Sequence, residues 1–393
     1  PNQICLLYLR SWDMKSNYDI LGNHIRLIDT RNRESITDRV LGINIDKFFM
    51  PSVANVIGTD LSKYKLITKG KFACNPMHVG RDERLPVALY DEDTPALVSP
   101  AYFMFEVIDD SLLNEDYLMM WFRRPEFDRI CWLHTDGSVR GGITWDDICR
   151  LELPIPPIEK QLEIVNSYKA ITERIALKQK INDNLAATLD ALFSELYGQL
   201  NDDDSVSLDT VCSLASSKRV FADDYSDMGV PFYRGKEITL KQAGQPIIEP
   251  LYIEKEHFTS LKEKYGIPMK GDILITAVGT IGNSYLVRDE EFYFKDGNII
   301  WLKDFKGNLN YYVYDFMQTK IFKQMLDGIC IGSTQTALTI VALSNLQIKI
   351  PDSRLLNEYT KQSMVVRTQI ELNTDEISHL YELQAILLAE LSR

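Results

Sequence analysis

The stretch LELPIPPIEKQLEIV, residues 151–165, joins a short run of alternating apolar residues to an amphipathic run through three prolines. Proline fixes φ, lacks a backbone N–H donor and is tolerated in the first turn of a helix, so the alternating run has to end here as a strand. We therefore predict a strand over 151–155 and a helix that begins at about Ile158, with Glu159 and Glu163 near its positive end.

The same kind of junction occurs a second time, as LQIKIPDSRLLNEYT from Leu346. GSVRGGITWDDICRLELPIP (137–156) aligns without gaps on GSTQTALTIVALSNLQIKIP (332–351), at a constant offset of 195 residues. Earlier in each copy, LITKGKFACNPMHVG (66–80) resembles GIPMKGDILITAVGTIG (266–282). A period of this length is too long for a solenoid and indicates two homologous domains.

Each copy is followed by a run in which apolar residues recur at alternating spacings of four and three, the pattern of a coiled-coil seam. The apolar seam positions include Ile164, Ile171, Ile175, Leu185, Leu189 and Leu192 in the first run and Ile370, Ile377, Leu380 and Leu387 in the second. Polar residues interrupt both seams, at Lys178 and Asn182 and at Asn373 and Gln384, and such interruptions fix register. Two seams of equal length favour mutual pairing over the alternative, in which each helix packs only on its own domain.

Short runs punctuated by glycine and proline predict strands in the copies themselves, among them MKGDILIT (269–276), NSYLVRD (283–289) and the FYF of 292–294. Helical segments are predicted within 115–130 and 310–326. Each copy is therefore expected to be an α+β domain with a β-rich core.

The composition is that of an ordinary globular protein, with 45% hydrophobic and 25% charged residues in 393. No apolar run approaches the ~18–20 residues of a membrane span, and the N-terminus lacks a signal-peptide pattern, so we expect a cytoplasmic location. The net charge is −13, and both copies and both helical runs are acidic. Binding to nucleic acid through bulk charge is thus disfavoured, and any such binding has to rest on local patches.

No motif in the sequence predicts catalysis or a metal site. The six cysteines include no CxxC pair and the five histidines no HxxxH pair, so neither a zinc site nor a disulfide framework is expected. NPMH (75–78) lacks the second proline and the aromatic of the Asn-Pro-Pro-Tyr signature of amino-methyltransferases. GTIGNS (279–284) lacks the Lys-Ser/Thr of a phosphate-binding loop. A fused methyltransferase is disfavoured, and binding is the better hypothesis.

Basic side chains gather in loops of both copies. Arginine can read guanine through two hydrogen bonds, and lysine can hold phosphates, whereas the alternative is scattered solubilising charge. The candidates for DNA binding are Arg31, Arg33, Lys69, Lys71, Arg81, Arg84 and Arg140 in the first copy and Lys218, Arg219, Arg234, Lys236 and Gln335 in the second.

Several phrases resemble one known family in their order and spacing: LPIPPIEKQLEIV (153–165), GVPFYRGKEI (229–238), KGDILIT followed by GTIG (270–282), and GSTQTALT (332–339). The chain is similar, from about Met14 onward, to the specificity (S) subunits of type I restriction–modification systems. Residues 1–13 lie outside the resemblance.

The resemblance implies two homologous target-recognition domains with β-rich cores, separated by two long helices that pair as an antiparallel coiled coil. The first target-recognition domain would cover 14–157 and the first spacer helix 158–200. The second domain would cover 201–351 and the second spacer helix 352–393. A helix of this length measures about 60 Å at ~1.5 Å per residue, which limits the separation of the domains to about 17 base pairs.

The resemblance also implies a non-catalytic subunit that recognises double-stranded DNA. Each domain would read one half of a bipartite site, while the helices set the gap. The partners would be two methyltransferase (M) subunits, which carry S-adenosylmethionine, and translocase–nuclease (R) subunits. This chain itself would hold no cofactor or metal.

Two features depart from that family. The second junction, IPDSRLLNE, lacks the second proline and the Glu-x-Gln pattern of the first, and the acidic charge is unfavourable for binding free DNA. An alternative is therefore a structural scaffold for methyltransferase subunits whose domains read little. Footprinting distinguishes the two, because a scaffold gives no bipartite protection.

Overall fold

The computed structural model describes residues 18–53, 58–77, 79–135, 141–247, 249–330 and 337–391. Two compact units make up the chain: one runs to Glu173 and resumes at Glu382, and the other is Arg174–Tyr381. Two long helices, α5 (Ile158–Gly198) and α11 (Ser353–Glu390), contribute a segment to each unit. Among the described residues, no helix is both long and apolar enough to cross a bilayer.

Among the described residues, the module of the first unit has ten strands and four α-helices. The strands are β1 Tyr18–Ile20, β2 Ile25–Leu27, β3 Leu41–Ile43, β4 Phe49–Pro51, β5 Lys65–Ile67, β6 Lys71–Cys74, β7 Val87–Tyr90, β8 Ala96–Val98, β9 Phe103–Val107 and β10 Glu152–Pro154. The helices are α1 Val79–Asp82, α2 Glu115–Phe122, α3 Pro125–Leu133 and α4 Trp145–Cys149.

An antiparallel sheet in the order β2-β9-β6-β7 forms the centre of this module. Phe72 on β6 is opposite Phe105 on β9, and their rings stack with centroids 5.0 Å apart. Helix α2 packs its buried face on this sheet, and Tyr117 donates a hydrogen bond to the carbonyl of Pro154 at 3.0 Å. This bond ties the helix to β10, which pairs with β1 just before the long helix begins.

In the part of the second unit that the structure describes, the module also has ten strands, with five α-helices. The strands are β11 Ser205–Ser207, β12 Ser213–Ala215, β13 Tyr225–Ser226, β14 Val230–Tyr233, β15 Leu251–Ile253, β16 Ile273–Thr276, β17 Ser284–Leu286, β18 Tyr293–Phe294, β19 Ile299–Lys303 and β20 Gln347–Lys349. The helices are α6 Gly235–Gln242, α7 Lys255–Tyr265, α8 Leu309–Gln318, α9 Lys320–Ile329 and α10 Ile340–Ser344.

The second module repeats the first, which confirms the predicted internal repeat. Its central sheet has the order β12-β19-β16-β17, and β11 pairs with β20 as β1 pairs with β10. Helix α10 is the equivalent of α4 and strand β20 the equivalent of β10, each 195 residues later, which is the offset seen in the sequence. Tyr312, at that offset from Tyr117, donates to the carbonyl of Lys349 at 2.8 Å, so the hydrogen bond that ties helix to strand is repeated as well.

Each of the two helical segments predicted within the modules, at 115–130 and 310–326, is a pair of helices in the structure. In the first copy the break falls at Arg124, because the residue before a proline avoids the α conformation and Pro125 begins α3. In the second copy Thr319 caps α9 by accepting a hydrogen bond from the Phe322 N–H at 3.2 Å. The second module also has an additional sheet, β13-β15-β14-β18, which the sequence patterns did not predict.

The two long helices pair as predicted, and all the apolar seam residues named above are buried or half-buried. In the second unit, Asn373 donates to Asn182 Oδ1 at 2.8 Å, and Phe193 meets Tyr359 with ring centroids 6.1 Å apart. Higher numbers on α5 thus face lower numbers on α11, so the pairing is antiparallel. In the first unit, Gln384 donates to Thr172 Oγ1 at 2.7 Å.

Candidate nucleic-acid interface

Most of the cations predicted to bind DNA in the first copy pair with a carboxylate. The pairs are Arg31–Asp29, Lys69–Asp93, Lys71–Glu106, Arg81–Asp82 and Arg84–Asp46. Such pairs at a surface contribute only about 0–1 kcal/mol, so a phosphate group can replace the carboxylate at small cost. Arg33 is exposed and has no carboxylate partner within the described part of the chain.

One group of these cations gathers around Asp29. Arg31 Nη2 is 2.6 Å and Lys65 Nζ 3.6 Å from its carboxylate, and Arg31 also donates to the carbonyl of Lys63 at 2.6 Å. The hydrogen bond from Arg31 holds the pKa of Asp29 below its ordinary value, while burial lowers the pKa of Lys65. Lys65 was not among the predicted residues, although it lies in the basic stretch KYKLITKGKF (63–72) that contains Lys69 and Lys71.

In the second copy the predicted cations have more varied surroundings. Arg219 Nε is 2.9 Å from Asp296, and Lys218 Nζ lies over the ring of Tyr265, 5.8 Å from its centroid. Lys236, in the first turn of α6, is exposed and unpaired with any carboxylate that the structure describes.

The hydrogen bonds of Arg234 are made at the start of α6. Its guanidinium binds the buried carboxylate of Glu237 at 2.7 Å, and its backbone N–H donates to the same carboxylate at 2.8 Å. Burial acts to raise the pKa of Glu237, but the hydrogen bonds from Arg234 outweigh it and keep that pKa below its ordinary value. Arg234 therefore positions the loop before α6, and it is less available for a base contact than the sequence indicated.

The GTIG loop, residues 279–282, lies beside α6 and is held by side chains that were not among the predicted DNA contacts. Asn283 Nδ2 donates to Thr239 Oγ1 at 3.0 Å, and the hydroxyls of Thr239 and Thr280 are 3.1 Å apart. Gly282 has a φ of +91°, and a Cβ there would lie 2.6 Å from Leu326. In the sequence, Thr280 and Asn283 were marked only by the two turn-forming glycines beside them, Gly279 and Gly282.

The two copies bring equivalent segments to equivalent places. Ile143 donates its N–H to the carbonyl of Pro76 at 3.2 Å, and Leu338 donates to Ala277 at 2.9 Å. Residues 141–143 and 337–338 therefore lie beside the NPM and GTIG turns of their own module. The predicted contacts Arg140 and Gln335 lie outside the described residues.

In the second module, the hydroxyl and amide groups of Thr239, Thr280 and Asn283 suit hydrogen bonding to phosphates and base edges. Among the residues that the structure describes, no three His, Cys, Asp or Glu side chains cluster as metal ligands would. The described cysteines are free thiols, and burial raises the pKa of Cys212 to about 12.

The comparisons with known proteins agree with one another. Residues 202–379 match the family model described as type I restriction modification DNA specificity domain. A Haemophilus influenzae protein, named as a type I restriction enzyme specificity subunit, is 32% identical over 225 residues, which span 55% of this chain and 55% of that protein. The crystal structure of a type I restriction–modification S subunit from M. genitalium shares the fold, with a TM-score of 0.53 and 15% identity over 95% of both chains.

Proposed function

Because residues 202–379 match the family model described as type I restriction modification DNA specificity domain, we propose that this chain is the DNA-recognition subunit of a type I restriction–modification complex. Each module would read one half of a bipartite site on double-stranded DNA. The target-recognition domains would be 14–157 and 201–351, and the helices that follow them, 158–200 and 352–393, would set the spacing. The chain would act in the prokaryotic cytoplasm, where the DNA is.

The observation that carries this proposal is the repetition of one module in the two units. Both copies have the same order of strands in the central sheet and the same backbone contact of a later segment with a turn. Two copies of one reading surface suit a site with two halves, and an antiparallel helix pair can mirror the two-fold symmetry of the duplex backbone.

The partners in this proposal are two methyltransferase (M) subunits, docked on the helices, and translocase–nuclease (R) subunits. S-adenosylmethionine would be bound by the M subunits, and this chain would be non-catalytic. The charge of −13 supports a role for partners, since an acidic chain gains little from the phosphate backbone by itself. We therefore expect tight specific binding only when the M subunits close around the duplex.

Genome-wide mapping of modified adenines in a strain that carries this chain and its M subunit tests the proposal. We expect one bipartite sequence with a fixed gap, and footprinting of the reconstituted complex should protect both halves. Modification without a bipartite motif, or a complex that forms but protects no such site, would show instead a scaffold that reads little.

The exposed cations without carboxylate partners give a sharper test. Lys236→Ala and Arg33→Ala should each weaken binding of the complex to DNA and lower the slope of log affinity against log salt by about one, if each holds a phosphate. The matched control is Lys264→Ala, an exposed lysine on α7. Unchanged slopes in both variants would remove these residues from the interface.

A further inference from the structure

A cleft of about 460 Å³ opens in the second unit. Its walls come from the α5 and α11 segments of that unit, the end of α6, and the break between α8 and α9. The volume is within the range of about 300–1,000 Å³ that is usual for sites that bind small organic molecules. Nothing in the proposed reading of DNA uses this cleft.

The lining is cationic in a chain whose net charge is −13. It contains five cations, Lys241, Arg288, Lys320, Lys323 and Arg367, and three carboxylates, Asp190, Asp315 and Glu371. Arg288 holds Asp375 through two hydrogen bonds of 2.8 Å, and Lys241 Nζ is 3.2 Å from Glu290. Lys320 and Lys323 are exposed, and neither forms an ion pair within the described residues.

These two lysines stand in the first turn of α9, where the helix dipole makes a positive charge unfavourable. The turn contains no acidic residue, whereas the equivalent turn of α3 contains Glu126 and Asp128. Lys323 is at the position of Asp128 at the offset of 195 residues. The positive charge is therefore specific to the second copy, and an anion bound there would relieve it.

Arg367 gives an independent indication of a missing acceptor. Its side chain is only 7% exposed, and its guanidinium binds Asp315 and lies over the rings of Tyr311 and Tyr314. Its Nε is buried and has no hydrogen-bond acceptor among the described residues. A buried N–H of a charged group is costly to leave unpaired, so the Arg367 side chain is one acceptor short.

Beside Arg367, the lining includes an apolar wall formed by Ala186, Leu189 and Ile370. The alanine side chain is small, which leaves room for a flat ring against the helix. We propose that this cleft binds a phosphorylated small molecule of nucleotide size. Its phosphate would lie between Lys320, Lys323 and the guanidinium of Arg367, and its ring would lie on the apolar wall.

Titration calorimetry on the full chain, without DNA, tests this with AMP, inorganic phosphate and adenosine as probes. We expect one AMP per chain, bound at least tenfold more tightly than either phosphate or adenosine alone. The variant Lys320→Ala/Lys323→Ala should bind AMP at least tenfold more weakly, because it loses two charge-assisted hydrogen bonds. The matched control Lys264→Ala should bind AMP as the unaltered chain does.

Absence of saturable AMP binding would overturn the proposal, as would AMP binding no tighter than that of inorganic phosphate. Equal AMP binding by the double variant and the control would also overturn it. The double variant should retain the DNA affinity of the complex. A loss of DNA affinity with AMP binding unchanged would assign the lysines to the duplex and overturn the cleft as a nucleotide site, while leaving the proposed function intact.

Discussion

The two junctions between module and long helix occupy equivalent positions in the repeat, but different side chains hold them. In the first, Gln161 is fully buried, accepts from the Asn114 N–H at 2.9 Å, and donates to Leu112 and Pro156 at 2.8 and 2.7 Å. In the second, the equivalent residue is Leu356, which is half-buried.

The second junction relies instead on an ionic cluster. Arg367 binds the buried carboxylate of Asp315, which also accepts a hydrogen bond from the Tyr359 hydroxyl at 2.7 Å. Burial acts to raise the pKa of Asp315 more than the neighbouring guanidinium lowers it. The contact between module and long helix is thus held by a neutral amide in one copy and, eleven residues further along the helix, by a charged pair in the other, so the two should fail differently when altered.

The largest effect is expected for Arg367→Met. The change leaves Asp315 as a buried carboxylate without its cation, which costs about 3–5 kcal/mol in the free energy of unfolding of the second unit. Urea denaturation followed by Trp301, which is in that unit, measures it. The control is Arg354→Met at an exposed position of α11, for which we expect no more than about 0.5 kcal/mol.

The double variant Asp315→Leu/Arg367→Met distinguishes a pair that stabilises from one that is only costly to break. Replacement of both members by apolar residues should recover most of the stability, because no charge then remains buried. A double variant as unstable as Arg367→Met would show that the pair makes a net contribution which apolar packing does not replace.

A smaller loss is expected for Gln161→Met in the first junction. Three backbone groups lose their partner, but no charge is left buried, so we expect about 2–3 kcal/mol. Hydrogen exchange should show the loss at the Asn114 amide, which begins the cap of α2. Gln199→Met, at an exposed glutamine of the second unit, is the matched control. Unchanged protection of Asn114 would contradict the role given to Gln161.

The sequence predicted where both junctions lie but not which side chains stabilise them. The offset of 195 residues related the segments that form α4 and α10 without predicting these helices, and the prolines located the start of α5 at Ile158. Gln161 belonged to the motif that carried the resemblance, yet its three partners come from segments that only the fold brings together. Arg367 is next to a seam position, and heptad spacing alone places such a residue at the edge of the coil, not in a buried pair.

Non-local pairing limited the prediction in the modules as well. Strand β14 pairs in parallel with β18, about sixty residues later, and alternation within one strand does not indicate its neighbour. The same holds for the candidate DNA contacts. Their charge was evident in the sequence, but Asp93 beside Lys69 and Asp296 beside Arg219 depended on the folded loops.

Glu237→Gln tests the cap of α6, which is part of the second copy alone, and should cost about 1 kcal/mol at neutral pH through the weakened bond with Arg234. Because folding lowers the pKa of Glu237, its contribution is present above the unfolded value of about 4.3 and is lost as pH falls through the folded value. The difference between variant and unaltered chain should therefore vanish in acid. A difference that stays constant down to pH 3 would mean that the carboxylate charge is not what stabilises the cap.

The smallest change in stability is expected at the seam, where the two helices share one polar layer. Asn373 is buried, accepts from Lys178 and Gln369 and donates to Asn182. Asn373→Leu adds apolar contact and loses these bonds, so we expect the free energy of unfolding to change by less than about 1 kcal/mol. The register of the two helices should be affected more than their stability, because a buried amide that needs its partner disfavours every pairing in which the helices are shifted.

Spin labels at the exposed positions Lys180 and Ser378, both in the second unit, measure this by double electron–electron resonance. The unaltered chain should give one distance. Asn373→Leu should add a second population displaced by about 10 Å, since a slip of one heptad moves a helix by seven residues at ~1.5 Å each. A single distance in the variant would mean that the junctions at the helix ends already fix the register. The polar layer would then contribute nothing to the spacing that the helices impose.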